Sequence, residues 1–217
     1  MISDLEQKDN SHLYKTGIIQ QTAYWSAVKK LQGIDSLAYN FRTKAEDLFC
    51  KPSEETFVVG DFLIMLQYLD KDNCIAYVPY GPETEPSEEQ QGYFLEQLSE
   101  ALRHYLPANC ILIRYDLSWQ SQWANEDDCY DLHGNWIGLP SRRVQEMRVN
   151  FNTEFGNLRK ANTDILPSNT IFMNLRESDD LLLGNMKPKT RYNINLAKRK
   201  GVRIESLGLE SLEIWYE

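Results

Sequence analysis

The sequence predicts a mixed α/β fold with one complete unit and the opening of another. Three observations predict it. Runs rich in β-branched and aromatic residues at Asp35–Thr43, Thr56–Leu69 and Asn73–Tyr80 read as consecutive strands. A strongly periodic helix at Ser87–Tyr105 is followed by the short apolar run Cys110–Asp116, which gives the strand–helix–strand order of a mixed sheet. A second strand–helix alternation then begins near Thr170.

Size and composition agree with this. A chain of 217 residues with 42% hydrophobic and 12% aromatic content can bury a sizeable core. The net charge of −9 argues against a general nucleic-acid coat protein. It leaves room for a local phosphate site. Cys50, Cys74, Cys110 and Cys129 lie far apart with no C-x-x-C pair, the first twenty residues are polar, and no apolar run approaches the roughly 18 residues of a membrane span. A reducing, cytoplasmic setting is expected. His12, His104 and His133 are scattered without ligand spacing, so no metal site is assigned.

In chain order, residues 1–16 are polar and are expected to be poorly ordered. A short helix follows, with Thr22 as its N-cap, Gly33 as its stop and Tyr24, Val28 and Leu31 along its apolar face. Lys29 falls beside Trp25, where its stem can pack while its amine stays free, with a plain surface lysine as the simpler alternative. Lys51-Pro52-Ser53 breaks the first strand from the second. The third strand ends at Tyr80 with Gly81-Pro82, a sharp stop that either turns the chain or brings backbone close to a ligand.

In the long helix Leu95, Leu98, Leu102 and Tyr105 repeat at helical spacing, with glutamates on the opposite side and Pro107 as the stop. Asp116 closes the next strand, so its carboxylate stands at the carboxyl end of a sheet, where α/β proteins place ligand groups. A turn or cap role is the plainer alternative. Gln120–Leu139 is loop-like, with Trp119, Trp123 and Trp136 as anchors or as groove lining. Arg142–Phe151 reads as another strand and Asn157–Ser168 as a connector.

The second alternation starts with the strand Thr170–Leu175, with Ile171, Met173 and Leu175 on one face, and continues with a helix capped by Ser178. Lys187–Lys200 carries six basic side chains and no acidic one. Pro188 suits its first turn, Gly201 its end, and Lys198, Arg199 and Lys200 match the helix dipole. Arg191, Asn195 and Lys198 form a ridge suited to phosphate, because a guanidinium binds two oxygens at once. A solvated helix end is the plainer alternative. A strand at Val202–Ser206 and a helix opening at Glu210–Glu217 are expected to follow.

The blocks Gln21–Lys29 (QTAYWSAVK), Tyr77–Pro82 (YVPYGP), Leu112–Asp116 (LIRYD), Thr170–Arg176 (TIFMNLR) and Met186–Val202 (MKPKTRYNINLAKRKGV), in this order, resemble the FemABX family of peptidoglycan interpeptide-bridge aminoacyltransferases. The resemblance implies two acetyltransferase-like (GNAT-like) modules. Residues 1–160 would form the first, and residues 161–217 the beginning of a second that is apparently truncated. It implies transfer of an amino acid from aminoacyl-tRNA onto the stem peptide of a peptidoglycan precursor, either lipid II or a UDP-linked muropeptide. No cofactor is implied, and peripheral contact with a membrane is a further expectation. Lys29 matches the family's precursor-binding lysine and Asp116 the aspartate beside the acceptor amine, while Tyr80 and Gly81, in the matching block Tyr77–Pro82, are candidates for substrate binding. Ile111 stands where some members have a tyrosine. Lys187, Lys189 and Arg191 are candidates for holding phosphates of tRNA or precursor.

An aminoacyl ester is already activated, so the chemistry asks for juxtaposition, removal of one proton and stabilisation of an oxyanion. Asp116 either accepts that proton or orients the ammonium, and a reference carboxylate pKa of about 3.9 favours orientation. Two other readings stand beside this one. A coenzyme-A N-acyltransferase would need a glycine-rich pyrophosphate loop, which the sequence lacks. A non-catalytic GNAT-like module would use the basic helix to bind RNA or an anionic surface.

Overall fold

The computed structural model describes residues 2–49, 56–121, 129–167, 170, 173–208 and 210–211. The chain divides into two units, Met1–Pro167 and Ser168–Glu217.

The first unit is built on a five-stranded sheet in the order β1-β2-β3-β4-β5. Its strands are β1 (Ile2–Lys8), β2 (Asp35–Lys44), β3 (Phe57–Tyr68), β4 (Cys74–Pro79) and β5 (Cys110–Asp116). The pairs β1–β2, β2–β3 and β3–β4 are antiparallel, and β5 is parallel to β4. Helix α3 (Gln91–Leu102) makes the crossover a parallel pair requires. It buries Phe94, Leu95, Leu98 and Leu102 against Tyr39, Phe41, Phe62, Ile64 and Val78 on one sheet face. Phe94 lies with its ring centroid 5.5 Å from Phe41 and 6.3 Å from Trp119. The other face carries Ala38, Leu63, Met65 and Tyr77, covered by Trp25 of α1 (Ala23–Leu31) together with Leu13 and Ile34. A further short helix, α2 (Ala45–Phe49), follows β2 and buries Ala45 and Leu48.

Several expectations change. Residues 2–8 are an ordered strand, not a loose terminus. This is an edge strand with one buried residue, Leu5, whose carbonyl accepts from the Tyr105 hydroxyl. Charges on an edge strand are ordinary, because they discourage pairing with other chains. In α1, Tyr24 and Leu31 are exposed, and the helix turns Trp25 and Ser26 inward instead. Ser26 is buried because it bonds Ser36 of β2 and the Asn10 amide. The Thr22 cap and the Gly33 stop form as expected, with Gly33 at φ +78°.

The long helix starts at Gln91, after a 3-10 turn at Glu88–Gln90, and one of its glutamates faces inward. Glu96 is fully buried and accepts the backbone N–H groups of Glu154 and Phe155 at 2.6 and 3.0 Å. Arg142–Asn150 is a helix, α4, where a strand was expected. Ser141 caps it by accepting from the Val144 N–H, Arg142 and Glu146 pair one turn apart, and Phe151 ends it in the left-handed region. These local contacts outweigh the strand preference of Val144, Val149 and Phe151. Gly92 is required beneath this corner, since a Cβ there would lie 1.5 Å from the Phe151 carbonyl oxygen.

The second unit consists, among the described residues, of α5 (Asp179–Asn185) and α6 (Pro188–Arg199). Ser178 caps α5, Pro188 sits in the first turn of α6, and Gly201 at φ +73° ends it. Neither expected strand forms among the described residues. Thr170 and Met173–Leu175 are irregular, with Ile171 and Phe172 outside the described residues, and Val202–Ser206 is irregular and exposed. Among the described residues neither stretch pairs with a strand, which its backbone N–H and C=O groups would need. The helix expected at Glu210–Glu217 lies outside the described residues except for Glu210 and Ser211, as do Cys50, Lys51-Pro52-Ser53 and Trp123. Among the described residues no helix is long and apolar enough to cross a membrane.

Candidate functional site

The carboxyl end of the β4–β5 pair gathers a polar cluster drawn from distant parts of the chain. Parallel register sets Tyr77 beside Arg114 and Pro79 beside Asp116. Arg114 and Asp116 are two residues apart on one strand and therefore share a face. The Arg114 Nε donates to Asp116 Oδ1 at 3.1 Å. Asp116 Oδ2 accepts from the Tyr77 hydroxyl at 3.0 Å and from the Leu166 N–H at 3.2 Å. Three of roughly four acceptor positions of the carboxylate are thus engaged. Burial, and next the Asp116 charge, hold the Tyr77 hydroxyl well above the ordinary phenol range, so it serves as a neutral donor.

The turn after β4 borders this cluster. Tyr80 has φ +50°, a conformation uncommon for a residue with a side chain, and the Gly81-Pro82 bond is cis. The Tyr80 hydroxyl donates to the Pro167 carbonyl at 3.2 Å. Gly81 is buried against the Gln21 amide, and a Cβ there would lie 2.7 Å from Gln21 Nε2. Gln21 explains the turn. The β3–β4 ladder runs only from Met65–Tyr77 to Tyr68–Cys74. Beyond it the buried Gln21 side chain takes the place of ladder bonds. Its Oε1 accepts from the Leu63 N–H at 2.7 Å, and its Nε2 donates to the Pro79 carbonyl at 2.6 Å. The strands can therefore part without orphaning their backbone groups. Trp119 closes the turn from below, its Nε1 donating to the Pro82 carbonyl at 3.1 Å. That makes it a core anchor, whereas Trp136 is exposed and pairs with Tyr130.

Asp116, Tyr80 and Gly81 are thus neighbours of one carboxylate centre. Lys29 stands apart on α1, its amine 4.8 Å over the Trp25 ring and 2.9 Å from Gln32 Oε1. Its stem packs on the tryptophan as the sequence implied. Lys187, Lys189 and Arg191 belong to the second unit. Lys187 is the N-cap residue of α6, and both lysines are exposed. Arg191 is half-buried and donates to the carbonyls of Leu183, Gly184 and Met186, so it closes the C-terminal end of α5. Ile111, at the irregularity in the β4–β5 register, is exposed.

Sequence reasoning missed Tyr77, Arg114 and Leu166 as partners of Asp116, and Gln21 as the support of the turn. Tyr77 and Arg114 lie inside the quoted blocks, but only the parallel register shows that they meet. Leu166 sits in a stretch that reads as a connector. Among the described residues no group of three or more His, Cys, Asp or Glu side chains comes together as metal ligands would. Comparison of the chain with protein-family profiles, with curated protein sequences and with solved structures finds no match.

Proposed function

We propose that this chain is a GNAT-like, FemABX-like aminoacyltransferase that moves an amino acid from aminoacyl-tRNA onto the stem peptide of a peptidoglycan precursor. The observation that carries the reading is the Asp116 carboxylate, held by Arg114 and Tyr77 at the carboxyl end of a parallel strand pair beside the Tyr80-Gly81 turn. An anion fixed by neutral and cationic donors at such a crevice is suited to orienting an ammonium or amine. Asp116 takes that positioning role, and the amine then attacks the activated ester. The order of the motif blocks named above supplies the choice of substrates. Lys29 would hold precursor phosphate, and Lys187 and Lys189 the phosphates of tRNA or precursor.

The test is transfer of labelled amino acid from a mixed pool of aminoacyl-tRNA onto a UDP-linked muropeptide or lipid II. Transfer is expected, with Asp116→Asn lowering it by about 10-fold or more, in line with the loss of a positioning group. Absence of transfer to both acceptors overturns the proposal. Lys29→Ala is expected to weaken binding of the UDP-linked precursor, and unchanged affinity would remove Lys29 from the site.

A second reading is favoured by one observation. Lys187, Lys189, Lys198 and Lys200 are all exposed on or at the ends of α6, while Arg191 is committed to the carbonyls of α5. That is the layout of a generic anionic-surface module. Steeply salt-dependent tRNA binding, with no preference for charged over uncharged tRNA, would favour it over the transferase.

A further inference from the structure

The Asp116 centre is covered, and what covers it is main chain. Side-chain exposure is 13% at Asp116 and 17% at Arg114, little for groups meant to meet a ligand. The cover is the segment Thr163–Pro167 of the same unit. It makes three polar contacts with the site. The Leu166 N–H donates to Asp116 Oδ2, the Thr163 carbonyl accepts from the Arg114 guanidinium, and the Pro167 carbonyl accepts from the Tyr80 hydroxyl. The segment thus offers one N–H and two C=O groups, the set an extended peptide ligand would offer. Thr163, Asp164, Ile165 and Pro167 are exposed, Leu166 is only partly buried, and no side chain of the segment is buried in the core. The segment itself lies exposed, so water can take over its N–H and carbonyls when it lifts, and a ligand can take over those of the site, which limits the net cost of lifting it.

We propose that Thr163–Pro167 is an autoinhibitory strap that fills the Asp116 site with its own backbone and must leave before an amine-bearing peptide binds there. The peptide ligand rests on the functional reading above, while the strap rests on the contacts just named. When the strap lifts, Asp116 recovers an acceptor position for the incoming amine. Arg114 and Tyr80 turn from strap carbonyls to carbonyls of the ligand. The strap competes by occupancy, so its release raises affinity without adding any contact.

The probe is a synthetic lysine-containing pentapeptide with a free side-chain amine, titrated into the full chain and into Leu166→Pro. That substitution removes the N–H held by Asp116. The expected result is binding at least about 10-fold tighter to Leu166→Pro, as for any ligand freed from a competing bound state. In the unsubstituted chain, hydrogen exchange at the Leu166 amide, the strap N–H that Asp116 holds, is expected to speed up when the peptide binds. This second measurement stands even if the proline variant folds poorly. Equal or weaker affinity in a folded Leu166→Pro, or exchange at the Leu166 amide that peptide leaves unchanged or slows, overturns the strap. Transfer activity is scored separately. A strap that responds to peptide in a chain without transferase activity leaves the strap standing and removes the functional reading. Transfer with an unresponsive strap does the reverse.

Discussion

The sheet unit and the helix-pair unit use the same local devices and reach different ends. Both have serine or threonine caps, a glycine in the left-handed region after a helix, and cations near helix carboxyl ends. In Met1–Pro167 these devices sit on a sheet that buries two hydrophobic clusters, one on each face. In Ser168–Glu217 none of the described residues is buried, and Leu175, Leu181, Tyr192 and Ile204 face solvent. Caps and dipoles shape a helix and contribute a few tenths to about 2 kcal/mol each, whereas most of the stability comes from apolar area removed from water by distant segments. The second unit has the former without the latter.

The largest expected effect contrasts the two units directly. Phe94→Ala empties a fully buried position between Phe41 and Trp119 and should cost about 3–5 kcal/mol. Tyr192→Ala on α6 should change stability by less than about 0.5 kcal/mol. Urea unfolding and hydrogen exchange of each unit measure both. A loss at Tyr192 as large as that at Phe94 would break the comparison.

A middle effect tests whether polar groups inside the first unit are as demanding as its core. Gln21→Leu leaves the Leu63 N–H and the Pro79 carbonyl without their partner in a buried place. A loss of about 2–3 kcal/mol is expected, from the desolvation of unpaired backbone groups. A Gln21→Leu variant as stable as the parent would mean that water or a strand shift replaces the amide.

The smallest effect runs the other way. Tyr39 is fully buried, and its hydroxyl has no hydrogen-bond partner among the described residues. Tyr39→Phe should stabilise the first unit by about 1 kcal/mol. Burial, with a lesser contribution from Tyr105, raises the Tyr39 hydroxyl from 10.0 to about 12. The fold therefore favours the neutral phenol. That contribution is intact below pH 10.0 and is lost as pH rises through about 12. Alkaline unfolding should start later in Tyr39→Phe. It should not vanish, because burial also raises Tyr77 and Tyr115. An unchanged alkaline limb would show that Tyr39 does not titrate with unfolding.

Much of the sheet was legible in advance because β2, β3, β4 and β5 are rich in β-branched and aromatic residues between clear breaks. β1 was not, because an edge strand with one buried leucine looks like a polar tail. α4 was misread because its valines favour strands, while its cap and its Arg142–Glu146 pair act locally. Glu96 was placed on the solvent side because a lone glutamate on a helix gives no sign of the two N–H groups that arrive from residues 154 and 155. Of the candidate site, Asp116 was visible as the acid closing a strand, and Tyr80 and Gly81 as the turn after another.

By itself, then, the sequence determined the mixed strand–helix order, the helix caps and stops, and the strand end on which Asp116 stands. These follow from side-chain shape, backbone preference and spacing within a few residues. Only the tertiary structure decided that Tyr77, Arg114 and Leu166 converge on that carboxylate and that Gln21 holds β3 and β4 apart. Those contacts join segments 39 to 58 residues apart in all but the Arg114 pair. Such pairings are set by the parallel register and by which buried polar groups must find partners, and neither is written in any local stretch of chain.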